Sequence, residues 1–213
     1  MYVRDIMTTN VITVASNTPV IEAAEIMRVH KFGRLPIVDR GKLIGIVTRE
    51  KLLRVSPSPA TSVNVPELIY LLSKMMVKDV MITHVVTANP DMTVEHAVAL
   101  AQSNKVGSLP VLENDRVVGI VTTNDFFYKI LNPLLGIGEP GTRIKVHGCV
   151  EAKDIQKVTE VLAKHNPRVI TVGYLPHPEH GIRDLTIHFE SEDVSKIIED
   201  LSALGYLVEI RER

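Results

Sequence analysis

The chain has 213 residues, room for one or two domains, and its 24 Lys and Arg against 25 Asp and Glu give a formal net charge of −1. Hydrophobic residues make up 45% of it but aromatic residues only 4%, with no Trp, so the core has to be built from Val, Ile, Leu, Ala and Met. The neutral balance excludes the broad positive field of a dedicated nucleic-acid binder or polybasic membrane protein. The single Cys149 excludes an internal disulfide and a Cys-based zinc cage, and no segment approaches the ~20 apolar residues of a bilayer span. With no apolar leader behind Met1, a cytoplasmic protein in a reducing compartment is expected.

The first elements form a compact pattern. Asn10 to Val14 is a brief β-branched run. Thr18 is placed to cap a helix with Pro19 in its first turn, and Ala23, Ala24, Ile26 and Met27 give that helix an apolar stripe. Leu35 to Val38 and Leu43 to Val47, joined at Asp39-Arg40-Gly41, read as a hairpin, and a second helix starts at Thr48. Ser56-Pro57-Ser58-Pro59 then breaks the chain. It leads into an amphipathic helix from Val65 to Met76, whose Leu68, Ile69, Leu71, Leu72 and Met75 suit ordinary packing.

From Val77 the first pattern returns. At an offset of 74 residues, 3–53 face 77–127 without a gap and share 16 identities over 51 positions. Val3, Asp5, Met7, Thr9, Val11 and Thr13 recur, then Lys31, Gly33, Leu35 and Pro36, and finally Gly45-Ile46-Val47-Thr48 as Gly119-Ile120-Val121-Thr122. The second copy therefore repeats the short strand (Val85 to Thr87), the helix, the hairpin (Leu109 to Leu112 and Val117 to Val121) and a helix start at Thr122. After the Gly136 to Gly141 break the order changes. Strands are expected at Arg143 to Val150, Val169 to Leu175, Asp184 to Phe189 and Tyr206 to Ile210, with helices at Asp154 to His165 and Asp193 to Leu204. This βαββαβ order is the ferredoxin-like arrangement. The predicted class is α+β (mixed α/β), divided into a first repeat (1–56), a linker helix (57–76), a second repeat (77–136), a linker (137–141) and a C-terminal domain (142–213).

The Leu-Pro-hydrophobic run followed by Gly-Ile-Val-Thr, closed in the second copy by Asp125, resembles the cystathionine-β-synthase (CBS) domain, which occurs as tandem pairs. The C-terminal unit is similar to an ACT domain. The combination, with Ser56-Pro-Ser-Pro-Ala-Thr61 and Gly138-Glu-Pro-Gly-Thr142 at its junctions, resembles the acetoin-utilisation protein B family over essentially the whole chain. The resemblance implies a pseudo-twofold pair of two βαββα units with two clefts, many members of which bind adenosine ligands such as AMP, ATP or S-adenosylmethionine.

The residues allow a chemical reading of that implication. Thr122-Thr-Asn-Asp125 sets a hydroxyl and a carboxylate one helical turn apart. A carboxylate accepts from both ribose hydroxyls, while hydroxyl and N–H groups suit a phosphate. By correspondence with related modules the adenine would touch Asn10, Val11 and Ile12 and the Phe32-Gly33-Arg34-Leu35-Pro36 segment, with Arg34 as the cation for a phosphate. The expected nucleotide site is Thr122, Asn124, Asp125, Asn10, Val11, Ile12, Phe32, Gly33, Arg34 and Pro36. In the first copy Lys51 stands where the carboxylate should be, and a cation cannot accept from a ribose. The cleft around Thr48, Lys51, His84, Val86 and Ser108 is therefore expected to be degenerate, with Lys51 free to hold a phosphate or a structural carboxylate.

Other constellations are weaker. His177-Pro178-Glu179-His180 reads as a solvated turn rather than a metal site, and Cys149 as a small core residue. The Ser, His and Asp residues form no nucleophile–base set, so no catalytic residues, metal or required cofactor are assigned. In the ACT-like domain Gly148 lies inside the predicted first strand rather than in the turn after it, which argues against amino-acid binding there. The leading expectation is a homodimeric regulatory sensor acting on a partner enzyme, in acetoin utilisation by resemblance. A ligand-free scaffold is the alternative, and an amino-acid sensor or a catalytic role in acetoin breakdown has less support.

Overall fold

A tight hairpin organises each repeat. In the computed structural model, which describes residues 1–55, 74–176 and 183–211, β1 (Arg34–Asp39) pairs antiparallel with β2 (Lys42–Thr48), and β3 (Ser108–Glu113) with β4 (Arg116–Thr122). Arg40 and Gly41 in one turn, and Asn114 and Asp115 in the other, all have positive φ. Two successive left-handed residues match the twist of the flanking strands. The β-bulge also repeats, between Ile37 and Val38 and between Val111 and Leu112. Leu35 faces Val47, and Leu109 faces Val121, all fully buried. Helices Val20–Val29 and Val94–Ser103 cover the hairpins with Ala23 and Ala97 innermost.

The short first strand of each copy does not form as such. It contributes one parallel bridge to its hairpin, Val14 to Ile37 and Ala88 to Val111. Val14 alone exchanges backbone bonds there, with Pro36 and Val38, and residues 10–12 line a cleft instead. Thr18 is likewise not a cap: its N–H is taken by the Ala15 carbonyl and extended Pro19 holds the N-cap position. The residue that mirrors Pro19 in the second copy does cap by side chain, Thr93 accepting from the His96 N–H at 3.3 Å.

The copies are interlocked. The start of each crosses the hairpin of the other, Thr8 exchanging two backbone bonds with Ile120, and Ile82 two with Ile46. Glycine makes room for the crossing. A Cβ on Gly119 would meet Met7 Sδ at 2.5 Å and the Thr8 carbonyl at 3.2 Å, and one on Gly45 would meet Met81 Sδ at 2.6 Å and the Ile82 carbonyl at 3.1 Å. Asp5 and Asp79 close the turns that lead in, accepting from Tyr2 N–H (2.7 Å) and Met76 N–H (2.9 Å). Val77, fully buried, packs in the first repeat's core with Val20, Met27 and Leu52. Burial of one such side chain stabilises by roughly 1.5–3 kcal/mol, so much of the pairing strength lies in these exchanged segments.

The chain divides into two compact units, Met1–Phe126 and Phe127–Arg213. The second has a four-stranded antiparallel sheet of β5 (Thr142–Val146), β6 (Val169–Pro176), β7 (Arg183–Phe189) and β8 (Val208–Arg211), in the order β6-β7-β5-β8. Helices Ala152–His165 and Ser195–Ala203 supply Val158, Val161, Ile197 and Leu201 to a core with Ile144, Ile187 and Phe189. The element order is thus β-α-β-β-α-β. Lys145 on β5 and Asp184 and His188 on β7 are polar yet buried. Lys145 Nζ lies 2.7 Å from Asp184 Oδ2, whose other oxygen accepts from Gly148 N–H at 3.2 Å. Burial alone would raise the Asp184 carboxyl, but Lys145, the Gly148 N–H and His147 together hold it below its ordinary value. His188 meets the Pro140 carbonyl and Arg143 donates to that of Gly136 at 2.7 Å.

Those last two contacts explain a difference from the sequence reading. The sequence places a linker at 137–141; the division into compact units falls at Phe126/Phe127, and Gly136 and Pro140 are bonded to Arg143 and His188 of the second unit. The predicted strand Arg143 to Val150 also ends early, at Val146, because left-handed Gly148 (φ +73°) turns the chain out of the ladder. Gly148 therefore lies in the turn before the helix and not in a strand. Cys149 is fully buried beside it, its thiol pushed up by burial. The Ser56 to Pro59 break, the linker helix before Lys74 and the His177 to His180 motif lie outside the described residues.

Candidate functional site

Between the repeats of the first unit the crossing leaves two clefts. The first, about 440 Å³, gathers all ten residues expected of a nucleotide site. One wall is the end of β4 and the turn after it, with Thr122, Asn124 and Asp125. The opposite wall is Asn10, Val11 and Ile12 with Phe32, Gly33, Arg34 and Pro36. Residues 10–12 face this space rather than a ladder because the short strand bridges only at Val14.

Asp125 is 8% exposed, and its Oδ2 accepts from the Thr122 N–H (2.8 Å) and from the Thr122 hydroxyl (2.7 Å). The carboxylate is thereby held to the cleft wall in one orientation. The far wall offers a flat apolar surface, the Phe32 ring stacked with His30 at a centroid distance of 5.7 Å and 16° between planes. Gly33 leaves it open, since a Cβ there would meet nothing within 4 Å. Lys31 and Arg34 add positive charge. The arrangement combines a diol acceptor, a planar apolar wall, exposed backbone groups and cations, which is what a phosphorylated nucleoside requires.

Sequence reasoning missed Thr8, His30, Lys31, Ile120 and Thr123, which also line this cleft. Thr8 and Ile120 meet through the crossing, which no local pattern announces. Lys31 left a signal, since it recurs as Lys105 in the repeat, both with positive φ just past a helix end.

The second cleft, about 340 Å³, brings together Thr48, Lys51, His84, Val86 and Ser108 as expected. Here the capping is reversed. The Thr48 hydroxyl accepts from the Lys51 N–H at 3.2 Å, so no carboxylate occupies the position that Asp125 holds in the first cleft. Arg34, Arg54 and Lys105 also line it. Among the described residues no group of three or more His, Cys, Asp or Glu could hold a metal, and no helix is long and apolar enough to cross a membrane.

The CBS-domain profile matches residues 3–58 and 77–132. The CBS domain-containing protein YhcV of Bacillus subtilis is 32% identical over 123 residues, 58% of this chain and 81% of that protein. Several other relatives are longer, and the chain spans 33% of their length or less. Among solved structures, one from Vibrio cholerae provisionally assigned as an acetoin utilization protein (AcuB) is similar at 29% identity and a TM-score of 0.53, over 64% of this chain and 96% of that one. CBSX2 in complex with AMP is similar at 28% identity and a TM-score of 0.51, over 62% and 96%.

Proposed function

The chain belongs to the CBS-domain family, and from that membership we propose that it is a non-catalytic regulatory sensor binding one adenosine nucleotide per chain in the first cleft. The observation that carries this reading is the placement of the Thr122–Asp125 pair across about 440 Å³ of space from the Asn10–Ile12 backbone and the Phe32–Gly33 segment. The ribose diol is bound by Asp125, the base lies against the far wall, and phosphate is met by Arg34 and Lys31. The similar chain that holds AMP supports the ligand class. Binding reports to the second unit, which we read as an ACT-type, ferredoxin-like domain from its β-α-β-β-α-β order and its β6-β7-β5-β8 sheet. Both units serve a homodimer, and the regulated partner is an enzyme, of acetoin utilisation by the resemblance to AcuB. Occupancy is allosteric only through different affinities for two arrangements of the protein.

The test is calorimetric titration and thermal denaturation with AMP, ATP and S-adenosylmethionine. A ligand at 100 times its Kd stabilises by about 2.7 kcal/mol, and Asp125→Asn weakens binding more than tenfold. No stabilisation at millimolar ligand, or an affinity untouched by Asp125→Asn, refutes the reading in favour of a ligand-free scaffold.

One observation favours a second reading, an amino-acid sensor in the second unit. Gly148 sits in the turn before the helix at φ +73°, and a Cβ there would meet nothing within 4 Å, so the backbone is open to a close ligand. Stabilisation by a free amino acid, lost in Gly148→Val, is its signature.

A further inference from the structure

The two clefts share a backbone plan but differ in charge. In the second, Arg34, Lys51, Arg54 and Lys105 line the walls against one carboxylate, Glu50. That carboxylate is already spoken for, since Arg54 donates to it at 2.7 Å. Arg34, Lys51 and Lys105 have no carboxylate within ion-pair distance among the described residues. Ser108, 8% exposed, and Thr48 add hydroxyls at the same wall. Among the described residues no carboxylate stands at the position Asp125 holds in the first cleft, and Arg34, Lys51 and Lys105 converge on about 340 Å³. Like charges gathered on one cleft repel one another, and an anion between them relieves that repulsion.

Arg34 belongs to both clefts. Its guanidinium lies against Gly107, where any Cβ would collide with it, so the absent side chain at Gly107 opens its path toward the second cleft. An anion in one cleft therefore competes with an anion in the other for one guanidinium.

We propose that the second cleft binds a compact polyanion of the pyrophosphate class without a nucleoside, held by Lys51, Lys105 and Arg34, and that through Arg34 it antagonises nucleotide binding in the first cleft. The polyanion site stands independently of the nucleotide reading; the antagonism rests on it. Linkage requires the antagonism to be reciprocal, each ligand weakening the other by the same factor.

The experiment is titration of the full chain with sodium pyrophosphate at constant ionic strength, with AMP and ATP as parallel ligands. Expected are saturable binding at one site per chain and a loss of at least fivefold in affinity in Lys51→Ala and in Lys105→Ala. Lys51→Asp, which installs the carboxylate of the other cleft, abolishes the binding. Lys157→Ala, an exposed lysine on the helix Ala152–His165, changes nothing. Asp125→Asn leaves pyrophosphate binding intact while removing that of AMP, so failure of either site is seen separately. Saturating pyrophosphate raises the Kd of AMP several-fold in the wild type and not in Arg34→Ala. Non-saturable binding, or affinity indifferent to Lys51 and Lys105, overturns the site. Displacement of pyrophosphate by ATP in Asp125→Asn overturns its non-nucleoside character, by showing that the cleft takes a nucleotide's polyphosphate chain. An AMP affinity unaffected by pyrophosphate overturns the antagonism.

Discussion

Gly33 and Gly107 occupy mirror positions, and methylating each separates binding from folding. Gly33 has an unremarkable φ and a Cβ there would meet nothing within 4 Å, so Gly33→Ala keeps the fold. Its effect on stability is neutral to favourable, about 0.4–1 kcal/mol from the reduced freedom of the unfolded chain. The methyl instead enters the first cleft, against the wall assigned to the base. Overpacking by a methyl in a close-fitted interface costs about 1–3 kcal/mol, which is about 5- to 150-fold in Kd. Gly107→Ala acts differently. Its Cβ collides with the Arg34 guanidinium, the far end of a flexible side chain, so stability again changes little but Arg34 is displaced. The expected result is weakened AMP binding through the base in Gly33→Ala, and weakened pyrophosphate binding through the lost cation in Gly107→Ala. Urea denaturation gives the stability, and titration with AMP, adenosine and pyrophosphate gives the binding. Adenosine, which lacks phosphate, feels the first substitution and not the second. A Gly33→Ala protein that folds normally and keeps wild-type affinity for both AMP and adenosine refutes the placement of the base.

The second unit offers two stability tests. Lys145→Met leaves the buried Asp184 carboxylate without its cation and should cost about 3–5 kcal/mol, much of it recovered when Asp184→Leu is added; urea denaturation of the single and double variants measures both. Because the Asp184 carboxyl is held below its ordinary value of 3.8, its contribution is fully present above that pH and is lost as pH falls through the lower folded value. Asp184→Asn should therefore flatten the acid limb of the stability profile below about pH 4, followed by circular dichroism. Gly141→Ala combines a φ of +110° with a Cβ that collides with the Phe189 carbonyl, and should destabilise by about 2–5 kcal/mol in the same assay, whereas Gly138→Ala, with open space around it, loses only the cost of its own positive φ.

What the sequence disclosed was what repetition and local periodicity encode. The 74-residue offset carried the hairpins, their turns and the helices, and it aligned both clefts residue by residue. Long-range crossing was hidden. Met7 opposite Gly119 and Met81 opposite Gly45 lie in different copies, and nothing in either segment's own pattern says that it pairs with the other copy. The same blindness promoted Asn10 to Val14 to a strand, since β-branched composition reports fitness for an extended backbone and not the presence of a ladder partner. Arg143 to Val150 failed for a different reason. Apolar content continued through Cys149 and Val150, while the deciding residue, Gly148, carries no side chain with which to signal a left-handed turn.

The proposed division of labour between the clefts follows from one position read through a backbone geometry that the two copies share. At the end of β4 a carboxylate reaches back to cap the Thr122 N–H; at the end of β2 the cap runs forward, the Thr48 hydroxyl accepting from Lys51 N–H. Both solutions satisfy the turn, so folding does not choose between Asp and Lys here. The choice shifts the local charge by two units. At an effective dielectric of 20 and a distance of about 8 Å each unit is worth roughly 2 kcal/mol toward an anionic ligand, or more than tenfold in affinity. At that one position the first cleft presents a carboxylate that accepts hydrogen bonds, and the second presents a cation. Under the proposed reading a near-symmetric pair carries two chemically distinct sites on one fold, and Arg34, which lines both clefts, is where their occupancies meet.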